Sequence, residues 1–433
     1  MKDKKLIIVS GFALFSMFFG AGNLIFPPYL GNKVGDQYLI AMIGFLLSSV
    51  GLVFLGLLAA TKCGGTIEKI GNTISPRFSL MFSTIIMLAI GPGLAIPRTA
   101  ATTVEVIQKG FFKGANSILL TAIFFVCVYL FVRKPNKIID NLGKILTPLL
   151  IVTLLAIILK GIISPVATPV NTYQIQVFQS SFEEGYQTMD ALASIVFAIV
   201  VTKGFMQNGI KDEDKIKDYT IKSATIAAIG LCFVYGGLLF IGATTSNLNL
   251  GNMERIELLL YICNQQLGVF GKILICIAMT LACLTTAIGL TTTVGEFFGD
   301  MLKDKTNGIM SYDLIIIIST VFSAFFAVVG VEKILKISAP ILSAIYPVAI
   351  VLIFLNLFNK DTFEKNTKLG AIIGASIFGF LILLNSFKLD FGLLKLIESV
   401  FPMQIKSFIW IIPAVIGGLI GKIKKIDQIV TIM

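Results

Sequence analysis

Along most of the chain, polar residues are confined to short interruptions between apolar runs of about 20 residues, the length that crosses a bilayer as a helix. The runs predict helices near 6–29, 37–60, 78–107, 117–132, 144–163, 187–209, 221–244, 269–298, 312–330, 338–358, 369–386 and 405–423. The expectation is an all-α integral membrane protein with twelve transmembrane helices. Between the seventh and eighth runs, MERIELLLYICNQQ at 253–266 predicts a short amphipathic helix on the membrane surface, with a plain loop as the alternative. The longest outer connection, 164–186, divides five spans from the next five. Five plus five with two extra spans is an arrangement that inverted-repeat transporters use. The expected division is a first repeat at 6–163, a second at 187–358, and two C-terminal helices with a tail at 369–433, all within one transporter domain of 1–433.

Composition supports the membrane reading. The 433 residues are 56% hydrophobic and only 14% charged, which excludes an ordinary soluble domain. The net charge of +11 lies mostly between apolar runs, so it reports topology and not a nucleic-acid surface. With Lys2, Lys4 and Lys5 inside, the inner loops hold about twice the Lys and Arg of the outer ones. Their charges include Lys134, Lys137, Lys144, Lys305 and Lys360, and the tail adds Lys424 and Lys425. Both termini are therefore expected in the cytoplasm of a bacterial cell, with the chain in its plasma membrane.

The chain has no histidine, which removes the usual zinc sites, hydrolase triads and His-based proton relays. Six cysteines form no C-x-x-C pair and suggest neither a disulfide framework nor a metal site. A membrane-embedded enzyme lacks its usual parts here, a channel lacks a repeated filter motif, and no resident cofactor is expected.

One run is interrupted in its middle. Residues 18–28 read FFGAGNLIFPP, and in lipid each unsatisfied backbone group costs several kcal/mol. The pattern predicts two half-helices meeting near residues 19–23. The first ends in free carbonyls, the second begins near Asn23 with free N–H groups, and Pro27 and Pro28 end the outer half early. One end attracts a cation and the other an anion, which suits a zwitterion with a sodium ion beside it. A kink packed by small residues and a cleaved signal peptide are the plainer alternatives; against the latter, the apolar run resumes at once. In the eighth span, LACLTTAIGLTTTVGEFFGD places Thr285 and Thr286 together on an apolar helix, where their hydroxyls could complete the oxygen set that sodium wants.

FALFSMFFGAGNLIFPPYLG, AIGPGLAIPRTAATTVE at 89–105, GYQTMDALASIVFAIVV at 185–201 and the threonine-rich eighth span together resemble the branched-chain amino acid carriers, the bacterial system II sodium symporters for leucine, isoleucine and valine. The resemblance covers essentially the whole chain and implies a LeuT-like fold of five-plus-five inverted repeats. Carried over by motif, it implies that the N–H groups of Ala21 and Gly22 hold the substrate carboxylate. It also implies a sodium held by the Ala282 carbonyl and the Thr285 and Thr286 hydroxyls, completed by carbonyls near Ser16 and Phe19. Asn23 matches a side chain that serves a second sodium in LeuT-like carriers. The pattern calls for a glycine-marked break in the sixth span, where SIVFAIVV offers only Ala198 as a small residue. Phe197, Ala198 and Ile199 would wrap an aliphatic cargo, each buried CH₂ contributing about 0.8 kcal/mol.

Arg98 falls well inside the third span, where a charge faces a cavity or a partner. Three roles stay open: an outer gate or pathway residue, a structural ion pair, or a direct ligand of the substrate carboxylate. Glu105 is placed with Arg98 on the gate or pathway; two turns on and about 10 Å away, it is too far to pair without side-chain reach or water. Asp190 is expected to be a helix N-terminal cap or interface charge, and KDEDKIKD at 211–218 a solvated turn. The resulting expectation is a secondary symporter of branched-chain amino acids and sodium. A proton-coupled carrier of the same or another apolar amino acid is the alternative, and would need a buried carboxylate or Lys near the site.

Overall fold

The computed structural model describes residues 2–133, 147–248, 250, 253–303, 306, 309–358, 362–389 and 392–423. Lys134, Lys137, Lys144, Lys305, Lys360, Lys424 and Lys425, counted above as inner charges, lie outside the described residues. Every apolar run is helical where described. The elements are α1 (Lys2–Phe18), α2 (Ala21–Val34), α3 (Tyr38–Lys62), α4 (Pro76–Gly110), α5 (Ser117–Val132), α6 (Thr147–Ile163) and α7 (Val177–Tyr186). They continue with α8 (Asp190–Gln207), α9 (Glu213–Ala243), α10 (Arg255–Lys303), α11 (Tyr312–Ala327), α12 (Val331–Leu357), α13 (Lys365–Ser386) and α14 (Ile411–Ile423).

Among the described residues, eight helical segments are long and apolar enough to cross a membrane. The α1–α2 pair, bent by 67°, makes a ninth. α5, α6 and α11 are shorter apolar helices. This is a multi-span, all-helical membrane protein. α5 shows how one apolar helix serves two surroundings. Its buried face carries Thr121, Phe124, Phe125, Val128 and Val132 at helical spacing, while the opposite face exposes Ile118, Leu119, Ile123, Val126 and Leu130. An aliphatic exposed face of this kind is stable against lipid and costly against water.

Five expectations need correction. KDEDKIKD at 211–218, expected as a solvated turn, is helical from Glu213 onward and opens α9, with the Asp212 side chain accepting from the N–H groups of Asp214 and Lys215. Pro27 and Pro28 do not end the outer half of the first span, since α2 runs on to Val34. Each proline frees a carbonyl one turn earlier, yet α2 continues as a helix, packed against α9 by close backbone contact. A Cβ on Gly31 would fall 1.9 Å from the Leu239 carbonyl oxygen, and one on Gly242 would fall 2.0 Å from the Pro28 carbonyl oxygen.

The third span is not a plain helix. Ala89–Gly93 forms a π turn in which Gly91 leaves helical geometry (φ −90, ψ −130), as G-P-G in an apolar run permits. The amphipathic segment expected at 253–266 is helical, but it continues into the eighth span as α10, bent at Gly268, whose φ of 62° favours glycine.

The expected loop at 164–186 contains α7, so the sixth span begins earlier than 187. Its sequence, VFQSSFEEGY, is too polar to register as an apolar run, yet Val177, Gln179, Ser181 and Tyr186 are buried and α7 packs on α3. The break between α7 and α8 lies at Gln187–Met189, upstream of SIVFAIVV, and its left-handed residue is Met189 (φ 66) and not a glycine.

Candidate functional site

The first break lies where expected, at Phe19 and Gly20 between α1 and α2. The N–H of Gly20 donates to Asn23 Oδ1 at 3.1 Å, which closes the first turn of α2. Ala21 and Gly22 follow, and N–H groups in a first helical turn have no intrahelical acceptor.

At the opposite end of the break, α10 meets the last carbonyls of α1. Thr285 Oγ1 lies 2.8 Å from the Ser16 carbonyl and 3.0 Å from that of Ala282. Thr286 Oγ1 lies 2.9 Å from the Met17 carbonyl and 3.5 Å from that of Ser16. Two hydroxyl protons thus face three carbonyl oxygens, a surplus of acceptors in a buried place. Such a surplus suits a hard cation, toward which both hydroxyls can turn a lone pair. Ser16, Ala282, Thr285 and Thr286 come together as the motif implied, and Met17 joins them unforeseen. Phe19 is buried close by, its ring 5.4 Å from that of Phe15 and 5.8 Å from that of Tyr235.

The second break carries the charges. Arg98 donates from Nη1 to the Gln187 carbonyl at 2.5 Å and from Nη2 to the Thr188 carbonyl at 3.3 Å. These carbonyls follow the end of α7, so a cation from α4 caps it. The Nε of Arg98 is buried without a partner. Arg98 makes no ion pair with Glu105. Glu105 bonds Lys109 at 2.7 Å, one turn away on α4, and Lys109 also reaches Glu254 and Glu257. Two helical turns are too long for Arg98 to span while it holds the sixth-span carbonyls.

Asp190 opens α8 and is only 4% exposed. Its Oδ2 accepts from the Asn23 amide and, at 3.1 Å, from the Tyr235 hydroxyl; the Asn23 amide also contacts that hydroxyl. Sequence reasoning missed Tyr235 and gave Asp190 a smaller role. The signal for Asp190 was a lone acid at the head of an apolar run; Tyr235 had none, since its partner is 45 residues away in the chain.

Both breaks open onto a narrow cavity of about 20 Å³, lined by Gly20, Ala21, Asn23, Arg98, Asp190 and Thr286 together with apolar side chains from α1, α4, α8 and α10. Phe197 lines it and packs on Phe18, with ring centres 5.3 Å apart. Ala198 and Ile199 are outside the lining, because each step along a helix turns by about 100°. Ala193, one turn before Phe197, takes a place in it instead. A wider groove between α12, α13 and α14, lined by Phe354, Phe363, Trp410 and Lys422, shares no residue with the breaks.

Above the cavity, Arg255 at the start of α10 pairs with Glu184 of α7 (3.5 Å) and Glu332 of α12 (3.2 Å). Its guanidinium also lies over the rings of Tyr29 (4.4 Å) and Phe26 (5.6 Å) of α2. Toward the other end, Lys203 of α8 pairs with Glu296 of α10 at 2.9 Å.

The substrate-bound, outward-open structure of a Na⁺-coupled sialic acid symporter superposes with a TM-score of 0.61 at 16% identity, covering 96% of this chain and 90% of that one; the fold is LeuT-like. The branched-chain amino acid permease BraB of Bacillus subtilis is 36% identical over 423 residues, 96% of this chain and 94% of its own. The permease BrnQ of the same organism is 35% identical over 434 residues, 97% of each chain. The family profile described as branched-chain amino acid transport protein matches residues 3–428, and with these relatives it establishes that the chain belongs to the branched-chain amino acid transport protein family.

Proposed function

We propose that this carrier imports leucine, isoleucine and valine together with sodium by alternating access. The observation that carries the sodium assignment is the pair of α10 hydroxyls on the terminal carbonyls of α1, Thr285 on Ser16 and Thr286 on Met17. Ala282 supplies a third carbonyl at the same place. The amino acid lies at the first break, its carboxylate on the N–H groups of Ala21 and Gly22 and its side chain against Phe197 and the apolar wall. As a member of a transporter family the protein is not an enzyme.

In this reading the twelve helical runs are twelve spans, with α7 as the first half of the sixth, arranged as inverted repeats at 6–163 and 177–358 followed by two C-terminal helices. Both termini are cytoplasmic. Alternating access comes from rocking of the helical bundle. Asn23, Asp190 and Tyr235 join α2, α8 and α9 to one another, whereas Thr285 and Thr286 tie α10 to α1 and Arg98 ties α4 to the α7–α8 break. One charge entering across about 100 mV supplies about 2.3 kcal/mol, or roughly fifty-fold accumulation before any sodium gradient is added.

Proton coupling is the second reading, favoured by the burial of the Asp190 carboxylate beside the cavity. Uptake of labelled leucine into proteoliposomes separates the two. An inward sodium gradient at equal pH drives uptake in the first reading. Uptake driven by a pH gradient and indifferent to sodium would overturn it.

A further inference from the structure

Among the residues lining the cavity, Arg98 and Asp190 alone are charged, one of each sign. Both are buried, at 3% and 4% exposure, and among the described residues no ion pair joins them. A zwitterion entering a dry cavity must find a partner for each pole, since a buried charge without one costs far more than it gains elsewhere. The positive pole of the cavity is defined by three features. A Cβ on Gly22 would meet Arg98 Nη2 at 3.1 Å, so the guanidinium lies against the first turn of α2. The N–H groups of that turn are there too, and Arg98 Nε has no partner. At the negative pole Asp190 is the one charged acceptor, and the Asn23 side chain offers a ligand no acceptor of its own. Asn23 Oδ1 holds the Gly20 N–H. Turning the amide would set its NH₂ against that N–H, so Asn23 presents only donors toward α8. The Asn23 amide donates to Asp190 Oδ2 and contacts the Tyr235 hydroxyl, which itself donates to Oδ2, so both side chains hold the carboxylate through one oxygen.

We infer that Asp190 binds the α-ammonium group of the amino acid substrate, with Asn23 and Tyr235 as positioning residues for its carboxylate, opposite a carboxylate pole formed by Arg98 and the start of α2. The inference rests on the reading of the cavity as an amino acid site. It makes the sixth-span break, and not only the first, a determinant of which solutes are carried. A branched fatty acid lacks the group that Asp190 requires, and a branched amine lacks the group that Arg98 requires.

The test uses the purified full-length protein and three probes: leucine, 4-methylpentanoate (leucine without its amino group) and 3-methylbutylamine (leucine without its carboxylate). Affinity is read by ligand-induced thermal stabilisation, with Asp190→Asn and Asp190→Glu beside the wild type. The wild type is expected to prefer leucine to 4-methylpentanoate by about 100-fold or more, as sites built to bond a polar group reject analogues lacking it. Asp190→Asn weakens leucine by about 100-fold while 4-methylpentanoate changes little, so that the preference collapses, and Asp190→Glu restores part of it. Equal weakening of both ligands would mean a structural role and overturn the inference. So would unchanged leucine affinity with a lost response of uptake to pH, which is the behaviour of a proton carrier. Should Asp190→Asn not fold, Tyr235→Phe keeps the ring beside Phe19 and Phe45 and removes one donor from the carboxylate. It then weakens leucine selectively, and equal loss for 4-methylpentanoate again overturns the inference. A wild type that binds no branched-chain amino acid at all fails the underlying reading before any variant is compared.

Discussion

The Thr286 hydroxyl donates to the Met17 carbonyl at 2.9 Å, fastening α10 to the last turn of α1 just ahead of the first break. If a sodium ion takes over these oxygens, removing one should be felt in sodium affinity before anything else. Thr285→Ala and Thr286→Ala are each expected to raise the sodium concentration for half-maximal leucine uptake by about 10-fold, the weight of one polar partner of a charge. Serine at either position keeps the hydroxyl and most of the affinity. A sodium titration of uptake checks this, and wild-type curves for both alanine variants would remove the threonines from the site.

Two glycines one residue apart should separate ion from cargo. A Cβ on Gly20 would meet Thr286 Oγ1 at 2.8 Å, whereas one on Gly22 would press on Phe26 and Arg98. Gly20→Ala is expected to weaken sodium more than leucine, and Gly22→Ala the reverse, each by about 10-fold, corresponding to the 1–3 kcal/mol that overpacking costs. Sodium-induced and leucine-induced shifts in melting temperature, measured on both variants, show whether the effects part in this way.

Arg98→Lys is expected to behave nearly as badly as Arg98→Ala. Arginine serves the Gln187 and Thr188 carbonyls at once through a planar fork, and a lysine ammonium is a point charge on a different stem. Each buried carbonyl left without a donor costs about 1–3 kcal/mol. Both variants should lose leucine affinity by about 10-fold or more while still reaching the membrane. Full activity of the lysine variant would show that charge alone suffices.

Arg255 ties α10 to α7, α12 and the rings of α2, on the side of the cavity that the proposed topology makes the outer one. Removing it should loosen closure without touching the cavity lining. Arg255→Gln is expected to speed the release of bound leucine to the outside by about 10-fold, as breaking a partly buried charge contact acts mainly on off-rates. Counterflow of labelled leucine measures this, and an unchanged release rate would mean that closure is held by packing alone.

The first break was readable because glycine, asparagine and proline have no other reason to crowd an apolar run, and the paired threonines stood out for the same cause. The sixth-span break was not. Its outer half is a short helix whose Gln179, Ser181 and Glu184 hide it from any count of apolar residues, and its turn uses Met189 in a conformation that sequence assigns to glycine. Asp190 was visible as a residue but not as a partner, because Asn23 is 167 positions away and Tyr235 is 45. Glu105 shows what spacing can settle: two helical turns put it out of direct reach of Arg98, and its partner is Lys109, one turn on.

The π turn at Ala89–Gly93 gives the third span two phases. Before it a single stripe is buried, Ser79, Phe82, Ser83, Ile86 and Met87, whereas after it every residue from Ala95 to Val104 is buried. The non-helical Gly91 breaks the register between the two halves. A helical wheel drawn through the whole span would therefore scramble its faces, and substitution data from the two halves belong on separate wheels. Loss of one residue in this turn would rotate the Arg98 half by about 100° and carry the guanidinium away from the break it caps.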